Sequence, residues 1–289
     1  MKNILVPTDF SSCATLAAHQ AILIAQQTKS SINFIHSINT PVEWIRYNPS
    51  VPKKRAASLN AELDQFPEFK KQMASAKLSL EILKKEAEKK KVSATTDIAF
   101  NQVYSDIIEY AKAKKADLIV MGTVGKGGLK GTLIGSNTSK IIRISTLPVL
   151  AISQKHQVAP ISGITYASDF EEENLNKNII EIKNFALSTK ANLKLLYINT
   201  PTFFESTKYS IQKLNNIMLK YKLAKCDYAV YNDFTVEEGI SNYIQSHPTT
   251  NLVAISTHNR KGIARLFYDN ITELLLGKLD KPLLIFPRK

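Results

Sequence analysis

The chain repeats itself. Ile4 to Pro41 aligns without gaps onto Ile164 to Pro201, at an offset of 160. Thr8-Asp9-Phe10 meets Ser168-Asp169-Phe170, and Ile38-Asn39-Thr40-Pro41 recurs as Ile198-Asn199-Thr200-Pro201. The ends of the two halves align at an offset of 134. There Asp117-Leu118-Ile119-Val120-Met121 meets Asn251-Leu252-Val253-Ala254-Ile255, and Leu147-Pro148-Val149-Leu150 meets Lys281-Pro282-Leu283-Leu284. The offsets differ by 26, so the first half should hold about 26 extra residues within 42–71. Such self-similarity demands one supersecondary plan used twice. We expect two domains, 1–155 and 156–289, a division that fits a length of 289 residues.

Each half carries the same run of elements. A short apolar strand (Ile4–Val6; Ile164–Tyr166) leads through an Asp-bearing turn to an amphipathic helix (Thr15–Thr28; Leu175–Ser188). A second strand follows (Ile32–Ser37; Leu193–Ile198), then a lysine-rich helix, a third strand, a helix, a fourth strand, a loop, a helix and a last strand (Val149–Ile152; Leu283–Phe286). Strands alternating with helices predict an α/β fold: two Rossmann-like doubly wound domains, each with a parallel five-stranded sheet. Ligands of such sheets sit beyond the carboxyl ends of the strands, where the strand order reverses. The turn with Asp9 and the loop that starts at Gly122 should both open there.

That loop holds six of the ten glycines, between Gly122 and Gly135. Glycine lets backbone N–H groups face a ligand without a Cβ in the way, and a helix N-terminus favours an anion. The pattern Gly122-x2-Gly125-x9-Gly135-Ser136 is neither G-x-x-x-x-G-K-[ST] nor a G-x-G-x-x-G between first strand and first helix. Ser136 and Asn137 should open the following helix with free N–H donors, and Lys126 and Lys130 add positive charge. Asp9, Ser11 and Ser12 could each cap the first helix.

In this glycine spacing the chain resembles the universal stress protein family, as it does in Ile4-Leu5-Val6-Pro7-Thr8-Asp9-Phe10-Ser11 and in Pro148-Val149-Leu150. The resemblance runs over both repeats. It implies ATP binding, usually with Mg²⁺ or Mn²⁺, by a stress-response protein. By position it implies Asp9 near the ribose, Pro7 and Ser37 on the adenine side, and Met121 and Gly122 bordering ribose and phosphates. Gly125, Gly135, Ser136 and Asn137 would hold the phosphates. It also implies pairing through last strands. Here that would join Val149–Ile152 to Leu283–Phe286 as an intrachain pseudo-dimer, with a homodimer and an unknown protein partner left open.

The second half lacks the glycines. Gly122, Gly125 and Gly135 become Ser256, Asn259 and Asp269. Asp269 is expected to cap the helix itself and repel phosphate. The second loop should therefore be empty of ATP. No nucleophile beside a base is visible near the loop, so catalysis should amount at most to a slow ATPase. A nucleotide-free structural module is the remaining alternative.

Composition excludes other classes. The net charge is +13, with 22 basic against 12 acidic residues in 1–155 and 16 against 13 in 156–289. The densest basic run, Lys84 to Lys91, contains Glu86 and Glu88 and no aromatic residue, which argues for a solvated helix face rather than a nucleic-acid surface. The five histidines lack metal-ligand spacing, and no run is long enough for a membrane span. Two distant cysteines and the absence of a signal-peptide core fit the cytoplasm.

Overall fold

The computed structural model describes residues 1–39, 66–100, 104–124, 134–170, 172–223, 225–256 and 264–287. The strands are β1 (Asn3–Pro7), β2 (Ser31–Ile38), β3 (Ala94–Phe100), β4 (Leu118–Gly122), β5 (Val149–Ile152), β6 (Gly163–Ala167), β7 (Asn192–Asn199), β8 (Cys226–Asn232), β9 (Leu252–Ser256) and β10 (Leu283–Phe286). The helices are α1 (Ser12–Thr28), α2 (Pro67–Lys89), α3 (Tyr104–Ala113), α4 (Ser136–Ile144), α5 (Glu172–Thr189), α6 (Thr207–Lys220), α7 (Val236–Ser246) and α8 (Ala264–Lys278). Among the described residues no helix is long and apolar enough to cross a membrane.

All ten strands form one sheet in the order β3-β2-β1-β4-β5-β10-β9-β6-β7-β8. Within each block of five the pairing is parallel. The blocks meet at one antiparallel seam, where Val149, Leu150 and Ala151 face Ile285, Leu284 and Leu283. This is the doubly wound fold that the order of elements predicts and the last-strand pairing that the family resemblance implies. The apolar runs of the inner strands follow from burial on both faces. Ile4, Leu5 and Val6 are fully buried, as are Ile119 and Val120.

The gapless alignment of the repeats does not hold through the first helix. Ile4 pairs with Ile32, whereas Ile164 pairs with Leu193. Phe10 and Phe170, 160 residues apart, share a left-handed backbone (φ 58° and 57°); so do Lys29 and Lys190 (φ 55° and 60°), 161 apart. Between these markers α5 has 18 residues and α1 has 17. The repeated Ile-Asn-Thr-Pro is thus one step out of structural register. Core packing decides the register: Phe34 corresponds to Leu195, both fully buried, because a one-residue slip would turn the apolar set to the other face.

Most of the expected insertion, 42–71, lies outside the described residues. Its last part does not: Pro67 opens α2, and Lys70 and Lys71 fall in that helix's first turns. Proline suits the first turn because its missing N–H would have no intrahelical partner there.

Between β5 and β6 the chain crosses beside α1. Gln27 exchanges two hydrogen bonds with the Ile161 backbone, Nε2 donating to O at 2.8 Å and Oε1 accepting from N at 2.9 Å. His156, in the same segment, donates Nε2–H to Gln20 Oε1 at 2.8 Å and is buried. Burial holds the His156 imidazole below its ordinary pKa, aided by Lys281 and opposed by the backbone and carboxylate of Asp280. The unfolded chain therefore takes up this proton at a higher pH than the folded one. Stability is full above the ordinary histidine value and falls as pH drops through it toward the folded value. Melting temperatures at pH 7.5 and pH 5 should differ more in the wild type than in His156→Gln, and an equal difference would refute the assignment.

Candidate functional site

The strand order reverses between β1 and β4, which are parallel neighbours. The turn after β1 and the loop after β4 therefore open at the same edge. Pro7 ends β1 opposite Ile35 of β2. Asp9 is half-buried, and its Oδ1 accepts the Ser11 N–H at 3.0 Å. The cap of α1 is Ser11, whose Oγ accepts the Ala14 N–H at 3.2 Å. Asp9 therefore shapes the turn that leads to the cap and does not supply the cap. Ser11 Oγ also lies 3.5 Å from the Val124 carbonyl. That contact joins the two loops the sequence predicts to meet.

Gly122 has a packing reason of its own. A Cβ at this position would stand 2.8 Å from Cys13 C and 2.9 Å from both Cys13 O and Ala14 N. The backbone of α1's first turn thus lies directly against β4. Met121, one residue earlier, is buried. Gly125 lies outside the described residues, as do Lys126 and Lys130.

Gly135 is the N-cap of α4, with φ −69° and ψ 148° and no side-chain cap bond. Any residue can adopt those angles. The backbone here therefore does not require glycine. Ser136 and Asn137 are exposed in the first turn, where the leading N–H groups have no intrahelical partner. Two bonds that the sequence reading missed fix this turn to β4. The Gly135 N–H donates to the Thr123 carbonyl at 2.6 Å, and Thr138 Oγ1 donates to the Gly122 carbonyl at 2.9 Å. The available sequence signal was a threonine three places after a cap glycine.

Ser37 sits apart from this turn. It is an exposed residue near the end of β2, paired with Ala99 of β3. His36 beside it reaches the site's rim: its Nδ1 is 2.7 Å from the Thr8 carbonyl, and its ring lies 4.5 Å from that of Phe10. The described residues contain no group of three or more His, Cys, Asp or Glu able to hold a metal ion.

The second block keeps the turn and alters the rest. Phe170 N–H donates to Ser168 Oγ at 3.1 Å, as Phe10 N–H does to Thr8 Oγ1 at 3.1 Å. Ser256, at the place of Gly122, is bonded to Ser168, Oγ to Oγ at 3.0 Å. Tyr166 replaces Val6 and is fully buried; burial pushes its hydroxyl up to about 12. The expected capping by Asp269 is not what the structure shows. α8 starts at Ala264 and places Asp269 in its second turn. The α4 and α8 helices end at corresponding residues, Ile144 and Lys278, so α8 is extended at its front. The cause is compositional. Ala264 to Asp269 stand where the first half has Lys130 to Gly135, and they contain no glycine to break the helix.

Parallel blocks whose strand order reverses at a switch point define a class of doubly wound α/β proteins. The universal stress protein family model matches residues 1–153, and the chain belongs to that family. Two curated relatives come from Methanocaldococcus jannaschii. Universal stress protein MJ0531 is 34% identical over 155 residues, which is 53% of this chain and 82% of its own. Universal stress protein MJ0577 is 30% identical over 157 residues, which is 54% of this chain and 96% of its own. A universal stress protein structure from Archaeoglobus fulgidus matches 99% of this chain and 98% of its own, with a TM-score of 0.73 at 12% identity. At that identity it speaks for the fold alone, but it does so beyond residue 153 as well.

Proposed function

We propose that the chain is a tandem universal stress protein, with domains 1–155 and 156–289, that binds one ATP in its first domain and acts as a nucleotide-dependent regulatory protein. The observation that carries this reading is the first turn of α4. Its N–H groups are not capped by a side chain, and at the switch point the β1 turn and the β4 loop meet through Ser11 and Val124. Phosphates would occupy the donors of Ser136 and Asn137 beside Gly135, whose own N–H is held by the Thr123 carbonyl, with Gly125 completing the loop. The ribose would lie between Asp9 and the Met121–Gly122 end of β4. The adenine would lie toward Pro7 and Ser37. The donor set fits an anion. Since no carboxylate cluster is present among the described residues, Mg²⁺ or Mn²⁺ would arrive with the triphosphate rather than reside in the protein.

The bonded pair of Ser168 and Ser256 and the forward extension of α8 support a second domain without this site. A cytoplasmic location belongs to the same reading; both cysteines are free. Calorimetric titration of nucleotide-stripped protein with MgATP should give saturation at one ATP per chain and a rise in melting temperature. Failure to bind would favour the nucleotide-free module, and two equivalents would overturn the assignment to one domain. Phosphate release well above background would favour the hydrolase.

A further inference from the structure

Two related grooves flank the β5–β10 seam, and the chain fills one of them with its own backbone. There the segment 153–162 passes α1 and the start of β9. Gln20, fully buried, donates Nε2–H to Ala159 O at 2.9 Å. Its Oε1 accepts from Ala159 N at 3.2 Å and from His156 Nε2 at 2.8 Å. Asn251 adds a bond from Nδ2 to Pro160 O at 2.7 Å, and its Oδ1 accepts the Ser162 and Gly163 N–H groups, each at 3.1 Å.

In the register set by the one-residue difference in α5, Glu181 stands where Gln20 stands, and Asp117 stands where Asn251 stands. Asp117 repeats the acceptor bonds of Asn251, with Oδ2 accepting the Lys2 and Asn3 N–H groups at 2.5 and 3.0 Å, but a carboxylate has no N–H to repeat the bond to the Pro160 carbonyl. Glu181 does not reproduce the other half. Its Oε1 is 3.4 Å from Lys177 Nζ, while Oε2 is buried and has no hydrogen-bond partner among the described residues. Glu181 borders a cavity of about 230 Å³ that runs from Lys177 and Asn184 to Leu147 and Pro148.

We propose that this cavity is a docking site for an extended polypeptide segment with a basic side chain, which follows the path that segment 153–162 takes in the filled groove but acts as the donor throughout, because Glu181 and Asp117 offer acceptors only. The form of the occupant follows from the filled groove, where a backbone N–H and an imidazole N–H together satisfy Gln20. Its charge follows from the exchange of amide for carboxylate. An acceptor oxygen left unmatched in a buried place is costly, and a carboxylate strengthens its hydrogen bonds when the donor is cationic. The apolar wall of Leu147, Pro148 and Phe185 suits the flanking residues of such a segment.

The probe is an acetylated, amidated peptide with the sequence of residues 153–161, titrated into the full chain and followed by amide chemical shifts. Saturable shifts at Lys177, Glu181 and Asn184 are expected. Exchanging the peptide's His156→Lys should tighten binding, and Glu181→Gln in the protein should weaken it about tenfold at low salt. Asn184→Trp, which fills the cavity, should abolish it, with circular dichroism confirming the fold. The proposal is overturned by any of three results: no saturable shift, shifts confined to the groove of Gln20, or an affinity unchanged in Glu181→Gln.

Discussion

Gly135→Asp should cost at least two orders of magnitude in ATP affinity and leave the fold intact. The backbone angles of Gly135 suit any residue, so the substitution introduces no strain. An aspartate at this N-cap would accept the orphan N–H groups of α4 and complement the helix dipole. Thermal stability should hold or rise, by up to about 1 kcal/mol. The same carboxylate would occupy the donors assigned to phosphate and would repel the anion. Isothermal titration beside a denaturation curve separates the two effects. Unchanged ATP affinity with a capped helix would remove α4 from the site, and a collapse of stability would mean that the cap glycine serves packing.

Gly122→Ala should act in the opposite way, through the fold first. Its Cβ would meet backbone atoms of Cys13 and Ala14 at 2.8–2.9 Å, and backbone cannot swing aside as the end of a long side chain can. Either α1 retreats from β4 or the strand bends. We expect a loss of about 3 kcal/mol in urea unfolding. The displaced turn should also carry Ser11 away from Val124, so nucleotide affinity should fall with stability. Ser256→Gly at the corresponding place should restore nothing, because α8 begins too early to present a free N-terminus at the related position. A Gly122→Ala protein as stable as the wild type would show that α1 is not seated as described.

The contrast between these two glycines marks what the sequence could convey. Its periodicity and repeats led directly to the alternating elements, because strand and helix patterns are local and each appears twice, whereas the β5–β10 pairing was implied only by the family resemblance. Glycine spacing pointed to the loop but could not tell a glycine whose backbone angles suit any residue, Gly135, from one that leaves room for a helix, Gly122. That difference depends on how closely α1 approaches β4. Asp269 was misplaced for a related reason. Alignment treats the position as a loop end, whereas the replacement of glycine by Ala264 through Tyr268 lets the helix start earlier. The identical Ile-Asn-Thr-Pro stretches misled the register because identity carries no information about which face of a strand is buried. Glu181 gave no signal at all, since its likeness to Gln20 appears only after the extra residue of α5 is placed.

The antiparallel seam between Leu150 and Leu284 has a consequence for assembly. Two blocks on separate chains would find each other at a yield set by dilution. Tethered by a short crossing that Gln20, Gln27 and Asn251 hold in place, they meet at an effective concentration fixed by geometry. The pairing is then independent of how much protein the cell makes. Neither edge strand at the seam is left over to recruit another subunit there, so any larger assembly has to use a different face.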